Sequence, residues 1–324
     1  MARNRFRGNN IKSDNDLGFG TKNYTQYNRF LNKDGSVNIL RKGQRVVDSL
    51  DFYHAFITMS WKKFLVIVSI GYLIVNTIFA TIYHLVGYQH FGNLKHVSAL
   101  HDFVELFFFS AQTLTTVGYG YVYPSSIYAS FFAAIESMLG LLGFALATGI
   151  LYGRFSRPKS EILYSENVLV APYQDISALM FRVINPKQNE LIEVEANVTL
   201  SMKNPHTNSR VFLALELERS KINFLALNWT IVHPINENSP LYGFTEEELM
   251  NSDAEFIVVI KSINDTYSQL VYSRTSYKNH EIVYGAKFKP MNTEPNNWGK
   301  LVLDIRQLND FEKAEINIAK ELAE

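Results

Sequence analysis

Cysteine is absent from all 324 residues, which excludes disulfides, thiolate catalysis and zinc-thiolate sites. Net charge is absent too: 31 basic residues balance 31 acidic ones, and no basic stripe interleaved with aromatics is found, so no nucleic-acid partner is expected. There is no HExxH, no GxSxG nucleophile elbow and no phosphate-cradling loop, and His101 with Glu105, although spaced for metal ligation on a helix, lacks a third ligand. An enzyme is therefore not expected. The basic start MARNRFRGNNIKSDND has no apolar core or cleavage site after it and does not read as a secretory signal.

The most informative absence is local. Between Lys63 and Lys95 there is no Asp, Glu, Lys or Arg, and from Leu106 to Gly153 the only charged residue is Glu136. A hydrocarbon core about 30 Å thick needs roughly 20 apolar residues at helical rise. Soluble helices seldom stay uncharged on every face for so long. Spanning helices are expected from about Lys63 to Val86 and from Ile127 to Phe155. Trp61, Lys62 and Lys63 flank the first, and Arg154, Arg157 and Lys159 flank the second, while the connection 87–100 has only Lys95 as a fixed cation. By the positive-inside bias both termini are cytoplasmic.

Between these helices lies LHDFVELFFFSAQTL, residues 100–114, too short to span, with Asp102 as a candidate N-cap and Glu105 three residues later in the capping-box position. A helix that enters the bilayer and stops is re-entrant, and its irregular continuation is tolerated only inside protein or along a water-filled path. Residues 47–58 carry an approximate apolar stripe, readable as a packed surface helix or as one lying at the membrane interface. After Glu161 the period changes to two: Ile192, Val194, Ala196, Val198 and Leu200 alternate with polar residues. With the runs LMFRVI, EFIVVIKSI, QLVYSRTSY and EIVYGAKF, this predicts an immunoglobulin-like β-sandwich. With the residues that follow 114 read as a filter on the motif given next, the expected fold is an α-helical membrane pore, two transmembrane helices plus a re-entrant pore helix and filter, followed by that all-β domain. Its segments are an N-terminal stretch 1–46, an interfacial helix 47–58, a pore domain 59–157, a sandwich 158–305 and a helical tail 306–324.

Residues 115–122 read TTVGYGYV. An ion leaving water must have its hydration shell replaced, and backbone carbonyls do so if they point at one axis, which demands glycine's conformational freedom. Thr116, Val117, Gly118, Tyr119 and Gly120 spell the sequence in which carbonyl coordination of K+ is established. GYG alone could be a turn, but here a short apolar helix precedes it and a spanning helix follows. The chain resembles the inward-rectifier potassium channels, most closely their bacterial branch, from about Asn28 to about residue 305. The resemblance rests on RFLNKDGSVN, TLTTVGYG, GILYGRFSRPK, LMFRVINPKQNELIEVEA, TIVHPINENSPLYG and SRTSYKNHEIVYG.

That resemblance implies a homotetramer conducting K+ passively, with no cofactor, in a bacterial inner membrane. Ser137, Leu141, Phe144, Thr148 and Tyr152 share one helix face by their spacing, and the resemblance makes it the pore lining. Tyr152 matches the family's bulky gate position, though an interfacial anchor is its other reading. Phe144 stands where strong rectifiers carry an acid, so weak Mg2+ and polyamine block is expected; Glu216 and Glu218 are possible partial substitutes. Gly140 and Gly143 permit bending or close packing. Gln112 stands where many family members have a glutamate and Val122 where some have an arginine, the two forming a filter-supporting ion pair, so here the filter must rest on hydrogen bonds and packing. Glu136 is an intramembrane acid offset from the pore face and is read as bonded behind the filter. Trp61, Lys62, Arg154, Arg157 and Lys159 mark an anionic-lipid site, with phosphoinositide the family's ligand, or simply signal topology. The rival readings are a weakly selective cation channel and a membrane-tethered β-sandwich binding module.

Overall fold

Three serines start the long helices of the N-terminal half in the computed structural model, which describes residues 29–40, 52–157, 161–203, 210–291, 293–295, 298–299 and 301–316. After a short α1 (Phe52–Thr58), Ser60 caps α2 (Trp61–Val86), Ser98 caps α3 (Ala99–Leu114) and Ser126 caps α4 (Ile127–Phe155). Each hydroxyl accepts from an amide in the first turn, which would otherwise lack a partner. Both α2 and α4 are long and apolar enough to cross a membrane. Residues 47–51 of the expected interfacial helix lie outside the described residues, as does Lys159.

One expectation about α3 is corrected. Its cap is Ser98, accepting from the His101 amide at 3.2 Å, and Asp102 lies inside the first turn. Asp102 is instead buried, facing His96 Nδ1 at 2.6 Å and accepting from the Val97 amide. The C-terminal end of α2 and the N-terminal end of α4 are joined by β1 (Phe91–Gly92) pairing with β2 (Tyr123–Pro124). Beneath that pair, Phe79, Tyr83, Phe91, Leu106, Phe109, Val122 and Ala129 form a buried cluster that fixes α3 between the spanning helices.

The described residues divide into two compact units, 52–157 and a second made of 29–40 with 161–316. In the second, strands follow in the order β3 (Leu163–Tyr164), β4 (Val168–Tyr173), β5 (Ile176–Ile184), β6 (Leu191–Lys203), β7 (Arg210–Leu215), β8 (Lys221–Phe224) and β9 (Asn228–Ile235). After α5 (Glu246–Asn251) come β10 (Glu255–Asn264), β11 (Gln269–Lys278), β12 (Ile282–Tyr284), β13 (Ala286–Phe288), β14 (Thr293–Pro295), β15 (Leu301–Leu303) and β16 (Phe311–Lys313). One sheet runs β11-β10-β6-β7 with β8 also on β6; the other runs β12-β4-β5-β3 with β9 also on β5. Val194, Ala196, Val198 and Leu200 meet Val168, Leu179, Phe181 and Val183 in one core, the sandwich that the alternation predicted.

The alternation fails at both ends of the strand: Ser201 is buried beside Leu200 and Met202, and the other end is out of phase. Leu191 is buried and Ile192 is not, because Glu193 adopts φ 52° and the register with β10 shifts between Lys261 and Ile263. A bulge of one extra residue reverses which face the strand's end presents. The expected helical tail also departs from observation: Ile305–Asn309 is a 3-10 turn, and Phe311–Lys313 pairs with Ala286–Phe288 as a strand. Pairing with an unfilled edge outweighs the weak helical preference of a short charged segment. Residues 317–324 lie outside the described residues.

Residues 29–40 belong with the β unit instead of forming a separate segment. A turn closes between Asn32 and Gly35, and Leu31 bridges Val37. The fully buried Glu255 carboxylate accepts from the Phe30 amide at 2.9 Å and from the Leu31 amide at 3.1 Å. Arg29 reaches Glu281 at 2.6 Å.

Candidate ion-conduction site

Helix α3 ends one residue before the TVGYG stretch, and its last turn holds that stretch by main-chain bonds. The Gln112 carbonyl accepts from the amides of Val117 at 2.9 Å and Gly118 at 3.3 Å, and the Thr113 carbonyl accepts from Thr116 at 3.0 Å. Backbone handedness then alternates: Thr116 has φ 60°, Gly118 52° and Gly120 78°, while Val117 and Tyr119 are not in the left-handed region. Alternating handedness turns successive peptide planes so that carbonyls lie on one side instead of opposite sides, the arrangement needed to replace a hydration shell. Glycine occupies two of the three left-handed positions without penalty. Threonine occupies the third, where a β-branched residue is unusual and costs on the order of 1–2 kcal/mol. Strain of this kind persists where surrounding contacts over-determine it.

Residues 115–121 are all exposed in the single chain, with Tyr119 at 81%. Behind them the chain is closely packed. Val122 sits in the apolar cluster beside Phe79 and Leu106. Gln112 contributes its carbonyl to the amides of Val117 and Gly118. Glu136 is fully buried, accepting from the Tyr83 hydroxyl at 2.5 Å and touching the Ser110 hydroxyl, which also contacts Asn76 Oδ1 at 3.1 Å. The Asn76 amide nitrogen donates to the Tyr72 carbonyl at 2.7 Å. Asn76, Tyr83 and Ser110 escaped the sequence reading; uncharged polar residues inside apolar runs were the available signal.

Along α4, Ser137 is half-buried, while Leu141, Phe144, Thr148 and Tyr152 are exposed, the last at 73%. The two glycines differ. A Cβ at Gly140 would overlap the Leu114 carbonyl, so its absence lets α4 lie directly on the end of α3. A Cβ at Gly143 would meet nothing within 4 Å.

At the other end of α4 the candidate lipid residues separate. Lys62 and Arg157 are exposed, and Trp61 is 44% exposed. Arg154 is engaged by the protein itself: it donates to the carbonyls of Phe56, Ile57 (3.3 Å) and Met59 (2.8 Å), closing the C-terminal end of α1. Its guanidinium also stacks 4.5 Å from the Trp61 ring and 4.7 Å from that of Phe64. No sequence motif announces this role, because it depends on two elements about a hundred residues apart. Among the described residues no group of three or more His, Asp or Glu could hold a metal, and His101 and Glu105 stand alone at 4.0 Å.

Two helices able to span a bilayer, a short helix between them that runs into a loop of alternating backbone handedness, and a β-sandwich later in the chain define the class of pore-loop membrane channels. Residues 31–158 match the inward rectifier potassium channel transmembrane domain, and residues 162–323 match the inward rectifier potassium channel C-terminal domain. The chain belongs to the inward rectifier potassium channel family, a family of membrane proteins that conduct K+ and are not enzymes. It is 33% identical over 288 residues to the inward rectifier potassium channel Kirbac3.1 of Paramagnetospirillum magnetotacticum, covering 87% of this chain and 95% of that protein. It is 28% identical to the ATP-sensitive inward rectifier potassium channel 12 of Gallus gallus, over 85% of this chain and 70% of that one. Against the human inward rectifier potassium channel 18 the identity is 27%, over 85% of this chain and 69% of that one.

Proposed function

We propose that four copies of this chain surround one axis and conduct K+ selectively through the carbonyls of Thr116, Val117, Gly118, Tyr119 and Gly120. The observation that carries this reading is the alternation of handedness at Thr116, Gly118 and Gly120 on a loop whose ion-facing side is bare in one chain. One chain supplies one wall, and cyclic symmetry supplies the others. K+ is the permeant ion, and no cofactor is required for passive flow. Ser137, Leu141, Phe144, Thr148 and Tyr152 line the path below the filter, and four Tyr152 rings close it by dewetting. Phe144 brings no charge to the cavity, so internal Mg2+ and polyamines block weakly. Lys62 and Arg157, with Trp61 and Lys159, attract anionic lipid such as phosphoinositide, while Arg154 acts on the protein side of that interface. The protein sits in a bacterial inner membrane with both termini in the cytoplasm, and the pore domain 59–157 and sandwich 158–305 divide conduction from regulation.

The test is uptake of radiolabelled Rb+ into liposomes holding the purified protein, with competing K+, Na+ or Ba2+, with and without phosphoinositide. Uptake blocked by Ba2+ and outcompeted by K+ but not Na+ is expected, and Tyr152→Ala should raise it. Uptake equally sensitive to Na+ would establish a weakly selective cation pore. No uptake in any lipid, also for Tyr152→Ala, would leave the β-sandwich as a tethered binding module.

A further inference from the structure

We infer that Glu136 is a neutral carboxylic acid in the folded channel, its proton on Oε1 and donated to Ser110, so that this residue acts as a donor in the scaffold behind the filter. The Tyr72 main-chain carbonyl can only accept, so the Asn76 side-chain atom 2.7 Å from it is the amide nitrogen. The Asn76 oxygen therefore faces Ser110, at 3.1 Å, and can only accept from it. Serine has one hydroxyl hydrogen, and that contact uses it. Ser110 is also in hydrogen-bond contact with Glu136 Oε1, and Tyr83 donates to Oε2. With Ser110 committed to Asn76, the hydrogen between Ser110 and Glu136 must come from the carboxyl.

A single chain of donors then satisfies every group: Tyr83 to Glu136, Glu136 to Ser110, Ser110 to Asn76, Asn76 to the Tyr72 carbonyl. The ionised alternative fails twice. It leaves the Asn76 and Ser110 oxygens facing each other without a hydrogen, and it leaves a charge with no counter-charge in a fully buried position of a spanning helix. Nothing nearby compensates that charge. From Phe64 to Leu94 and from Leu106 to Gly153 there is no lysine or arginine, and no ion pair to Glu136 is formed among the described residues. A protonated acid and a glutamine have the same pattern here, one acceptor toward Tyr83 and one donor toward Ser110. This conclusion needs no ion flux and stands whether or not the pore conducts.

The experiment is infrared spectroscopy of the full-length protein in lipid at neutral pH, wild type against Glu136→Gln and Ser110→Ala. Wild type should show a protonated-carboxyl C=O band that Glu136→Gln abolishes, and Ser110→Ala should keep the band but move it to higher frequency as its acceptor is lost. Melting of the assembled protein supplies a second reading: Glu136→Gln should melt like wild type and Glu136→Ala markedly lower. Wild-type and Glu136→Gln spectra that coincide in the carboxyl region would overturn the inference. So would a Ser110→Ala band at unchanged frequency, or a Glu136→Gln variant as destabilised as Glu136→Ala.

Discussion

Replacing Arg154 by methionine keeps the apolar stem and removes the guanidinium, which isolates what that group does. Three carbonyls of the α1 end lose a charged donor. Hydrogen bonds to charged groups contribute about 1.5–3 kcal/mol each when shielded, and less here because Arg154 is only half-buried. Stacking on Trp61 and Phe64 adds roughly 0.5–1 kcal/mol per ring at such exposure. Allowing water to take over part of the carbonyl bonding leaves a net loss on the order of 3 kcal/mol in the docking of α1. Seven residues do not hold a helix alone, so undocking and unfolding of α1 are one event. Three kcal/mol is about a hundredfold in that equilibrium, and hydrogen exchange of the amides of residues 55–59 should quicken by about that factor in Arg154→Met. Arg154→Lys should fall between, since an ammonium reaches fewer carbonyls and stacks less well. Unchanged exchange in Arg154→Met, combined with altered dependence of flux on anionic lipid, would refute the argument and make Arg154 a lipid ligand.

Further expectations concern the filter's seat, the N-terminal segment and acid stability. Gly140→Ala must push the Leu114 carbonyl, one residue from the filter; it should lower stability by about 1–3 kcal/mol and reduce Rb+ over Na+ discrimination, whereas Gly71→Ala, with nothing within 4 Å, should do neither. Glu255→Leu removes the carboxylate that accepts from Phe30 and Leu31, leaving donors unmet at roughly 1–3 kcal/mol, and limited proteolysis should then cut within residues 29–40 faster. Acidification should weaken the β unit in two windows. Burial holds His233 below its ordinary 6.5, its Nδ1 bonding the Glu216 carbonyl and its Nε2 accepting from Ser239, so the unfolded chain binds a proton first and melting temperature declines as pH falls below 6.5. Although burial pushes the Glu281 carboxyl up, the Lys278 amide, Lys33 and Arg29 outweigh it and hold the group below 4.5, so its contribution, complete above that value, is lost as pH falls further. His233→Gln should remove the first decline only, and Glu281→Gln the second only.

Much of this architecture is written in short-range pattern. The uncharged runs defined α2 and α4 because hydrocarbon tolerates no fixed charge, and α4 begins and ends where the sequence placed it. The alternation of Val194 to Leu200 predicted a half-buried strand because side chains alternate sides whatever the partner. The glycines at 118 and 120 predicted left-handed backbone, because few other residues accept it.

What the sequence left open were choices between partners. It offered Asp102 as the cap of α3, but Ser98 also precedes the helix, and His96 and Val97 were free to claim the aspartate. It read 306–324 as one helix, yet an open edge at Ala286–Phe288 draws Phe311–Lys313 into a strand. It grouped Arg154 with the cations for lipid, and only folding brings it to the three carbonyls at the end of α1. The Glu136 proton belongs to this second kind: an isolated acid in an apolar run says that charge is costly there, and only the placement of Tyr83, Ser110 and Asn76 around it says where the hydrogen goes. Periodicity and backbone freedom are local properties, fixed along the chain, whereas hydrogen bonds and edges are filled by whichever group tertiary structure delivers.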